Sequence, residues 1–444
     1  MKRMVKCLIC GAEFEEGADV CPVCFAGPEN FVVLESNSVS DSKRNTDDMY
    51  LILGGGAAGI SAAEAIREQD ETGRIVILEE EEELPYRRPA LTKQIHAQWN
   101  PSDIAVYPED WYTEKNIQLL RGKKIVSLDT AKREVRLSCG TVISYDKCIY
   151  ALGAESFVPP FKGSKLTGVR PIRTVSDIRA IQQTINDSQR KCAVIIGGGV
   201  LGLEAAWSLH QAGMRVVVLE AGERLMARQL DEKTSKELEA AAESSGIDIV
   251  TGVTIDGILE QNGQAGGVRL ADGRQYEADL VVLSCGIRSR TAIAEAAGIS
   301  VGRAVKVNEY METSAEGIYA CGDCAECDGQ NIALWQEAAD QGRTAGINAA
   351  GGRTAFQKQE YPVFFQGMNT SLYAIGSPSE DQSDALVTFD YPKEKKKETY
   401  FFQNKVVTGI AAWGDIAAGK LADVLQQKKT FGEILTMKTK ENGS

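Results

Sequence analysis

Two glycine turns of one kind, each set in the same local pattern, constrain this chain more than any other feature. Gly54-Gly55-Gly56-Ala57-Ala58-Gly59 follows the apolar run Met49 to Leu53 and opens a helical stretch, with an acidic cluster from Glu79 onward. Gly197-Gly198-Gly199-Val200-Leu201-Gly202 follows Ala193 to Ile196 and precedes Val216-Val217-Val218-Leu219-Glu220. In such a unit the glycines allow a tight turn and a close approach of backbone to pyrophosphate. The helix N-terminus faces the phosphates, and the acid beyond takes ribose hydroxyls. One copy alone could be a tight turn in any sheet protein. Two copies, each with strand, helix and acid in order, predict two bound dinucleotides. Gly54, Gly56, Ala57, Ala58 and Gly59 belong to the first site, and Gly197, Gly199, Val200, Leu201, Gly202 and Glu220 to the second.

At 444 residues with 43% apolar side chains, the chain can bury cores for about three domains. Its net charge of -13 argues against nucleic acid or an anionic membrane surface as partner, since both call for basic patches. The same charge serves solubility. Eleven cysteines occur without an apolar leader or a run long enough to span a bilayer, which fits a reducing cytoplasm. With His96 and His210 as its two histidines, the chain is poorly supplied for serine–histidine hydrolysis or histidine-rich metal catalysis.

The expected fold class is α/β. Two Rossmann-like three-layer ββα domains, one inserted in the other, are joined by a C-terminal α+β domain and an N-terminal cysteine unit. Residues 1–35 form that unit and 36–48 a polar linker, which spans roughly 20 Å if flexible. Residues 49–160 and 301–360 form the first nucleotide domain, 161–300 the second and 361–444 the last. Short strands between Lys124 and Gly153 are expected to return to the first sheet, Ala271 to Arg274 to turn a hairpin, and Trp335 to Ala350 to form a helix. Strands are expected at Ser371 to Ile375, Leu386 to Phe389, Thr399 to Phe402 and Val406 to Trp413, before a final helix over Asp415 to Gln427. The basic run Lys393 to Lys397 reads as a solvated hairpin tip.

The cysteine unit reads Cys7-Leu8-Ile9-Cys10, ten residues beginning with Gly11, then Cys21-Pro22-Val23-Cys24. Two C-x2-C knuckles bring four thiolates into a tetrahedron, so Cys7, Cys10, Cys21 and Cys24 are the expected metal ligands. The unit resembles the short rubredoxin-like domain, including Gly27-Pro28-Glu29-Asn30-Phe31, although Phe25 stands where rubredoxins carry a second knuckle glycine. Redox iron and structural zinc both suit an S4 site, and the resemblance favours iron. A unit this small needs such a staple in either case.

A third signature, Thr313 to Asp323, ends in Cys321-Gly322-Asp323, a strand closing on a carboxylate. With the two glycine turns it resembles the FAD-dependent pyridine nucleotide-disulfide oxidoreductase family over residues 49–444. The stretch Leu84-Pro85-Tyr86-Arg87-Arg88-Pro89-Ala90-Leu91-Thr92-Lys93 is similar to that of the subgroup containing NADH:rubredoxin reductases, oxygenase-type ferredoxin reductases and the nitrite reductase flavoprotein. The resemblance implies FAD contacts at Glu79 or Glu80 (ribose), Arg88, Lys93, Val126, Arg173 and Asp323. A surface ion pair is the other reading of Arg88 and Arg173. It further implies that Glu204 pairs with Lys93 beside the flavin and the nicotinamide, that Gly286 admits the nicotinamide closely, and that Glu220 followed by Ala221 selects NADH over NADPH.

Departures from the wider family shape the expected chemistry. No cysteine lies between Cys24 and Cys139, so a dithiol relay or sulfenate at the flavin is not expected. Ala151-Leu152-Gly153 stands where relatives have Ala-Thr-Gly. Cys321, Cys324 and Cys327 have metal-like spacing but overlap the Gly322-Asp323 turn, and read as buried thiols. No cysteine follows Cys327, so nitrite reduction by this chain alone is not expected. The resulting expectation is a cytoplasmic flavoenzyme passing electrons from NADH through FAD to a rubredoxin-type iron. That iron sits in the fused unit, in a separate redox protein, or in both. The alternatives are an NADH oxidase with a structural zinc unit and a non-catalytic flavoprotein redox sensor. The oligomeric state, a homodimer among the options, stays open.

Overall fold

The computed structural model describes residues 3–9, 11–22, 26–34 and 43–441. Among these, two five-stranded parallel sheets repeat one plan. The first runs in the order Ile318–Ala320, Lys147–Tyr150, Met49–Leu53, Arg74–Leu78, Ile117–Leu120. The second runs Val169–Pro171, Leu280–Leu283, Cys192–Ile196, Arg215–Leu219, Ile247–Val250. In each, the middle strand delivers the chain into a glycine turn and a helix: α1 (Ala57–Gln69) or α2 (Val200–Gln211). The middle strands are buried over nearly their whole length, as parallel strands covered on both faces must be. The chain is therefore a mixed α/β protein with Rossmann-like sheets.

The strands between Lys124 and Gly153 do not all rejoin the first sheet. Ile125–Asp129, Glu134–Leu137 and Val142–Ser144 form their own antiparallel sheet, and Lys147–Tyr150 alone returns. Their short alternating patterns suit a half-exposed antiparallel layer, whereas the apolar run from Cys148 suits the buried sheet. The second unit repeats this layer with Ile255–Gln261, Gln264–Leu270 and Gln275–Glu277, and the turn at Ala271 to Arg274 joins its last two strands.

Helix α3 (Trp335–Ala349) packs along α1, so closely that a Cβ at Gly342 would overlap the Ala58 carbonyl oxygen. The last region is a five-stranded antiparallel sheet followed by α4 (Ala418–Gln426) and α5 (Phe431–Glu441). Its edge strand Val363–Gly367 and helix α5 were not anticipated from the sequence. The basic run is divided: Lys393 to Lys395 are exposed at the tip, but Lys396–Gln403 is a strand in which Lys397 is buried and paired with Glu237. Strand alternation turns that lysine inward, and a carboxylate from another part of the fold meets it.

The N-terminal unit is a three-stranded antiparallel sheet of Met4–Cys7, Glu13–Glu15 and Phe31–Val33. Cys7 and Cys21 are fully buried in it. Cys10, Cys24, Phe25 and Glu35 of the unit and residues 36–42 of the linker lie outside the described residues. At the far end of the linker Arg44 donates to Ala350 O at 2.5 Å, fastening the chain to the end of α3. Among the described residues no helix is long and apolar enough to cross a membrane.

Candidate functional site

The two glycine turns match atom for atom. Gly54 and Gly197 have φ of 108° and 116°, and a Cβ on either would overlap a carbonyl oxygen, of Ala151 or Ser284. Both constraints require glycine. Gly56 and Gly199, at the helix starts, have nothing within 4 Å of a would-be Cβ, leaving each N-terminus open to a ligand. The acid that follows is held the same way in each unit. Glu79 accepts from Gly55 N–H at 2.7 Å and Glu81 N–H at 3.0 Å, and Glu220 from Gly198 N–H at 2.5 Å and Gly222 N–H at 2.6 Å.

Between the two units lies a cavity of about 1060 Å³, at the upper end of the roughly 300–1,000 Å³ typical of small-molecule sites. Gly54, Gly56, Ala57, Ala58, Glu79, Glu80, Arg88, Lys93, Arg173 and Asp323 line it, as do Val200, Leu201 and Glu204 from the start of α2. Gly59 lies behind the first turn, where its would-be Cβ meets Gly54 O. Gly197, Gly199, Gly202, Glu220 and Gly286 belong to the second unit away from this wall, Gly286 with φ 98°. Val126 is 45% exposed and off the wall, and Ile125 lines it instead.

At the meeting of the two units the Lys93 ammonium pairs with the Glu204 carboxylate, whose other oxygen accepts from Thr92 Oγ at 2.7 Å. Glu204 is 8% exposed, so a carboxylate there needs both donors. Arg173 Nη2 lies 2.7 Å from Asp323 Oδ2. Arg88 donates to Glu81 Oε1 at 2.7 Å, Tyr86 OH at 2.8 Å and Arg173 O at 2.7 Å, tying the cavity segments together. Both arginines do form ion pairs, on the cavity wall and largely screened from solvent. Glu80 differs from Glu79: it is partly exposed and pairs with Arg290 at 2.8 Å.

The thiols nearby are held protonated. Burial pushes Cys324 up to about 12 and Cys321 well above its usual range. Burial, then the Glu220 carboxylate, pushes Cys285 up to about 11. Cys324 Sγ donates to Tyr150 O at 3.4 Å, and Cys327 is half-buried. Ala151 to Ala154 line the cavity, Gly153 taking φ 66°.

Sequence reasoning missed Glu81, Thr92, Trp335, Gln336 and Ile9 at this site. Gln336 Oε1 is buried, and among the described residues nothing hydrogen-bonds to it. An orphan acceptor on a cavity wall suits a ligand carrying N–H or O–H groups. Together with the open helix start, the ribose-type acid and the size of the cavity, it makes the site fit FAD. Glu81, Trp335 and Gln336 carry no motif of their own, and Thr92 and Ile9 sit inside motifs read for their neighbours; the five come together from separate parts of the chain.

Residues 48–342 match the model of the pyridine nucleotide-disulphide oxidoreductase family. The chain belongs to that family. It is 32% identical over 339 residues to an NADH oxidase of Methanocaldococcus jannaschii, covering 73% of each chain. It is 31% identical over 388 residues to the nitrite reductase (NAD(P)H) of Bacillus subtilis, covering 86% of this chain and 48% of that one. The chain thus spans about half the length of that relative. The crystal structure of NADH:rubredoxin oxidoreductase from Clostridium acetobutylicum superposes with a TM-score of 0.70 at 26% identity, covering 87% of this chain and 97% of that one. In this family member, the absence of a cysteine between Glu80 and Lys93 is the main departure from a disulphide reductase.

Proposed function

We propose that this chain is an NADH-dependent flavoprotein reductase whose electrons leave to a rubredoxin-type iron centre. The centre is the one in its own N-terminal unit, from which a separate small redox protein can draw. The observation that carries the proposal is the single cavity walled both by the first glycine turn and by the start of α2, with Lys93 and Glu204 bridging the two. FAD, when bound there, supplies what no side chain offers: it takes a hydride and gives up electrons one at a time.

The residues have distinct tasks. Residues 49–160 and 301–360 hold FAD, with Glu79 rather than Glu80 taking the ribose, because Glu79 alone repeats the geometry of Glu220. Arg173 and Asp323 orient the ribityl end, and Arg88 braces the wall. Residues 161–300 hold NADH, and Glu220 repels a 2′-phosphate. Glu204 keeps Lys93 in place and presents a carboxylate to the nicotinamide carboxamide, aligning the donor ring for transfer.

Cys7, Cys10, Cys21 and Cys24 hold the metal. Cys7 N–H donates to Ala12 O and Cys21 N–H to Ala26 O, each at 2.8 Å. The same bond at the described ends of both C-x2-C stretches supports an S4 site. The resemblance of this unit to the rubredoxin-like domain, through its two C-x2-C pairs and Gly27 to Phe31, favours iron. Anaerobic NADH should bleach the yellow protein, and added rubredoxin should then be reduced. Bleaching without rubredoxin reduction, or a site filled by zinc alone in iron-sufficient cells, refutes the relay.

The likeness to an NADH oxidase favours a second reading, direct reduction of O2. Oxygen uptake by Cys7→Ser distinguishes the two: an oxidase keeps its activity, and the relay loses its electron exit.

A further inference from the structure

The N-terminal unit is built into the flavin cavity. Ile9, inside the first knuckle and 5% exposed, is itself part of the cavity wall, beside Trp335, Gln336 and Phe364. Gly11, at the end of that knuckle, lies against the same Gln336: a Cβ there would sit 3.4 Å from Gln336 Cγ. One side chain therefore supports the knuckle with its stem and also lines the cavity.

The seat is polar as well as apolar. Helix α4 has no side-chain cap of its own at Ala417, and Ala418 N–H donates instead to Asn30 Oδ1 at 2.8 Å. Asn30 is 2% exposed, so this bond is shielded from water, and separating the two units would remove the helix cap. Leu8 packs on Gly419, where a Cβ would come within 2.7 Å of Leu8 Cδ1. Cys7, Ile9 and Ala12 share one apolar core with Tyr373, Tyr400 and Leu421 of the last domain. A tether alone would leave the unit competing with other carriers at a merely raised concentration, whereas a shared core and a cross-domain helix cap fix it in one place.

We propose that the fused cysteine unit is the compulsory electron exit of the flavin cavity, seated there by Ile9, Asn30 and Leu8, so that any separate carrier draws electrons from this unit alone. The inference rests on the NADH-to-iron reading above. Each NADH becomes NAD+ and H+ and yields two electrons. An iron held by the cysteine unit would accept these electrons one at a time, passing each to a one-electron redox protein before taking the next, with the proton released to solvent.

The test uses the full chain loaded with FAD and iron. In the wild type, NADH-driven reduction of the iron, followed by its visible absorbance, should be first order, at a rate unchanged over about a hundredfold range of protein concentration. Amides at 26–34 and 418–426 should be protected from hydrogen exchange as one unit. In Gly419→Val, which drives a side chain into Leu8, that protection should fall about tenfold. Iron reduction should slow by at least about tenfold with it, while bleaching of the flavin by NADH stays at the wild-type rate. Asn30→Ala, which removes the cap, should move both readouts the same way. An iron reduction rate proportional to protein concentration overturns the proposal. So does an unchanged rate in variants that have lost protection. Flavin that NADH fails to bleach, or iron never reduced at any concentration, refutes the underlying reading as well, and the exchange data then report the seat alone.

Discussion

Thr92 and Glu204 stand 112 positions apart and meet at 2.7 Å, the hydroxyl of the first nucleotide unit donating to the carboxylate of the second. Lys93 occupies the other carboxylate oxygen, so each half of the molecule completes the site of the other. Glu204→Gln should leave Lys93 without its counter-charge in a half-buried position and shift the nicotinamide out of line. Stopped-flow bleaching by NADH should slow about a hundredfold, with flavin content unchanged. A rate within a factor of about two of wild type would remove Glu204 from the reaction.

Glu220 is held by two backbone N–H groups and, in the proposed reading, repels a 2′-phosphate. Glu220→Gln keeps an acceptor and removes the charge. The ratio of kcat/KM for NADH over NADPH should fall about tenfold, and a ratio that stays constant would show selection elsewhere.

Gln336 carries the orphan oxygen on the cavity wall. Gln336→Met conserves shape and removes that acceptor, and FAD should be retained about tenfold less tightly. Equilibrium dialysis of flavin from the two proteins is the measurement. Equal affinity would mean that water, not ligand, satisfies the amide.

Gly342 touches the Ala58 carbonyl across the α1–α3 contact. Gly342→Ala must push the helices apart, at a cost of about 1–3 kcal/mol. Because α1 starts at the glycine turn, a lower melting temperature should come with lost flavin. Lower stability with full flavin content would separate the contact from the site.

Glu398 provides a pH test. Burial alone would push its carboxyl up, but the Lys438 ammonium, the Tyr400 hydroxyl and Lys396 outweigh that and hold it below the ordinary range. Its folded pKa lies below the unfolded one, so its stabilisation is present above about pH 4.3. It is lost as pH falls through the folded value. Glu398→Gln should therefore lower the melting temperature at pH 7, with the deficit shrinking as pH falls below about 4.3. A deficit that grows as pH falls from 7 would contradict this.

Local constraints were readable from the residues in order. The strands Met49–Leu53, Arg74–Leu78 and Val406–Trp413 coincide with their apolar runs, and both glycine turns form where their spacing placed them. The Lys93–Glu204 pair was implied by the family resemblance rather than by spacing, and the structure brings the two together. The sheet of Ile125–Ser144 and the inward Lys397 escaped notice: a short alternating strand does not say which sheet it joins, nor an isolated lysine whether a carboxylate waits opposite.

By itself, then, the sequence determined the two nucleotide turns, their acids and the pairs of cysteines, since backbone sterics and ligand spacing act over a few residues. The tertiary structure alone decided that Ile9 walls the flavin cavity, that Asn30 caps a helix 388 positions away and that Glu79 rather than Glu80 mirrors Glu220. Those outcomes depend on which surfaces bury together, and that is a property of the packed chain rather than of any stretch within it.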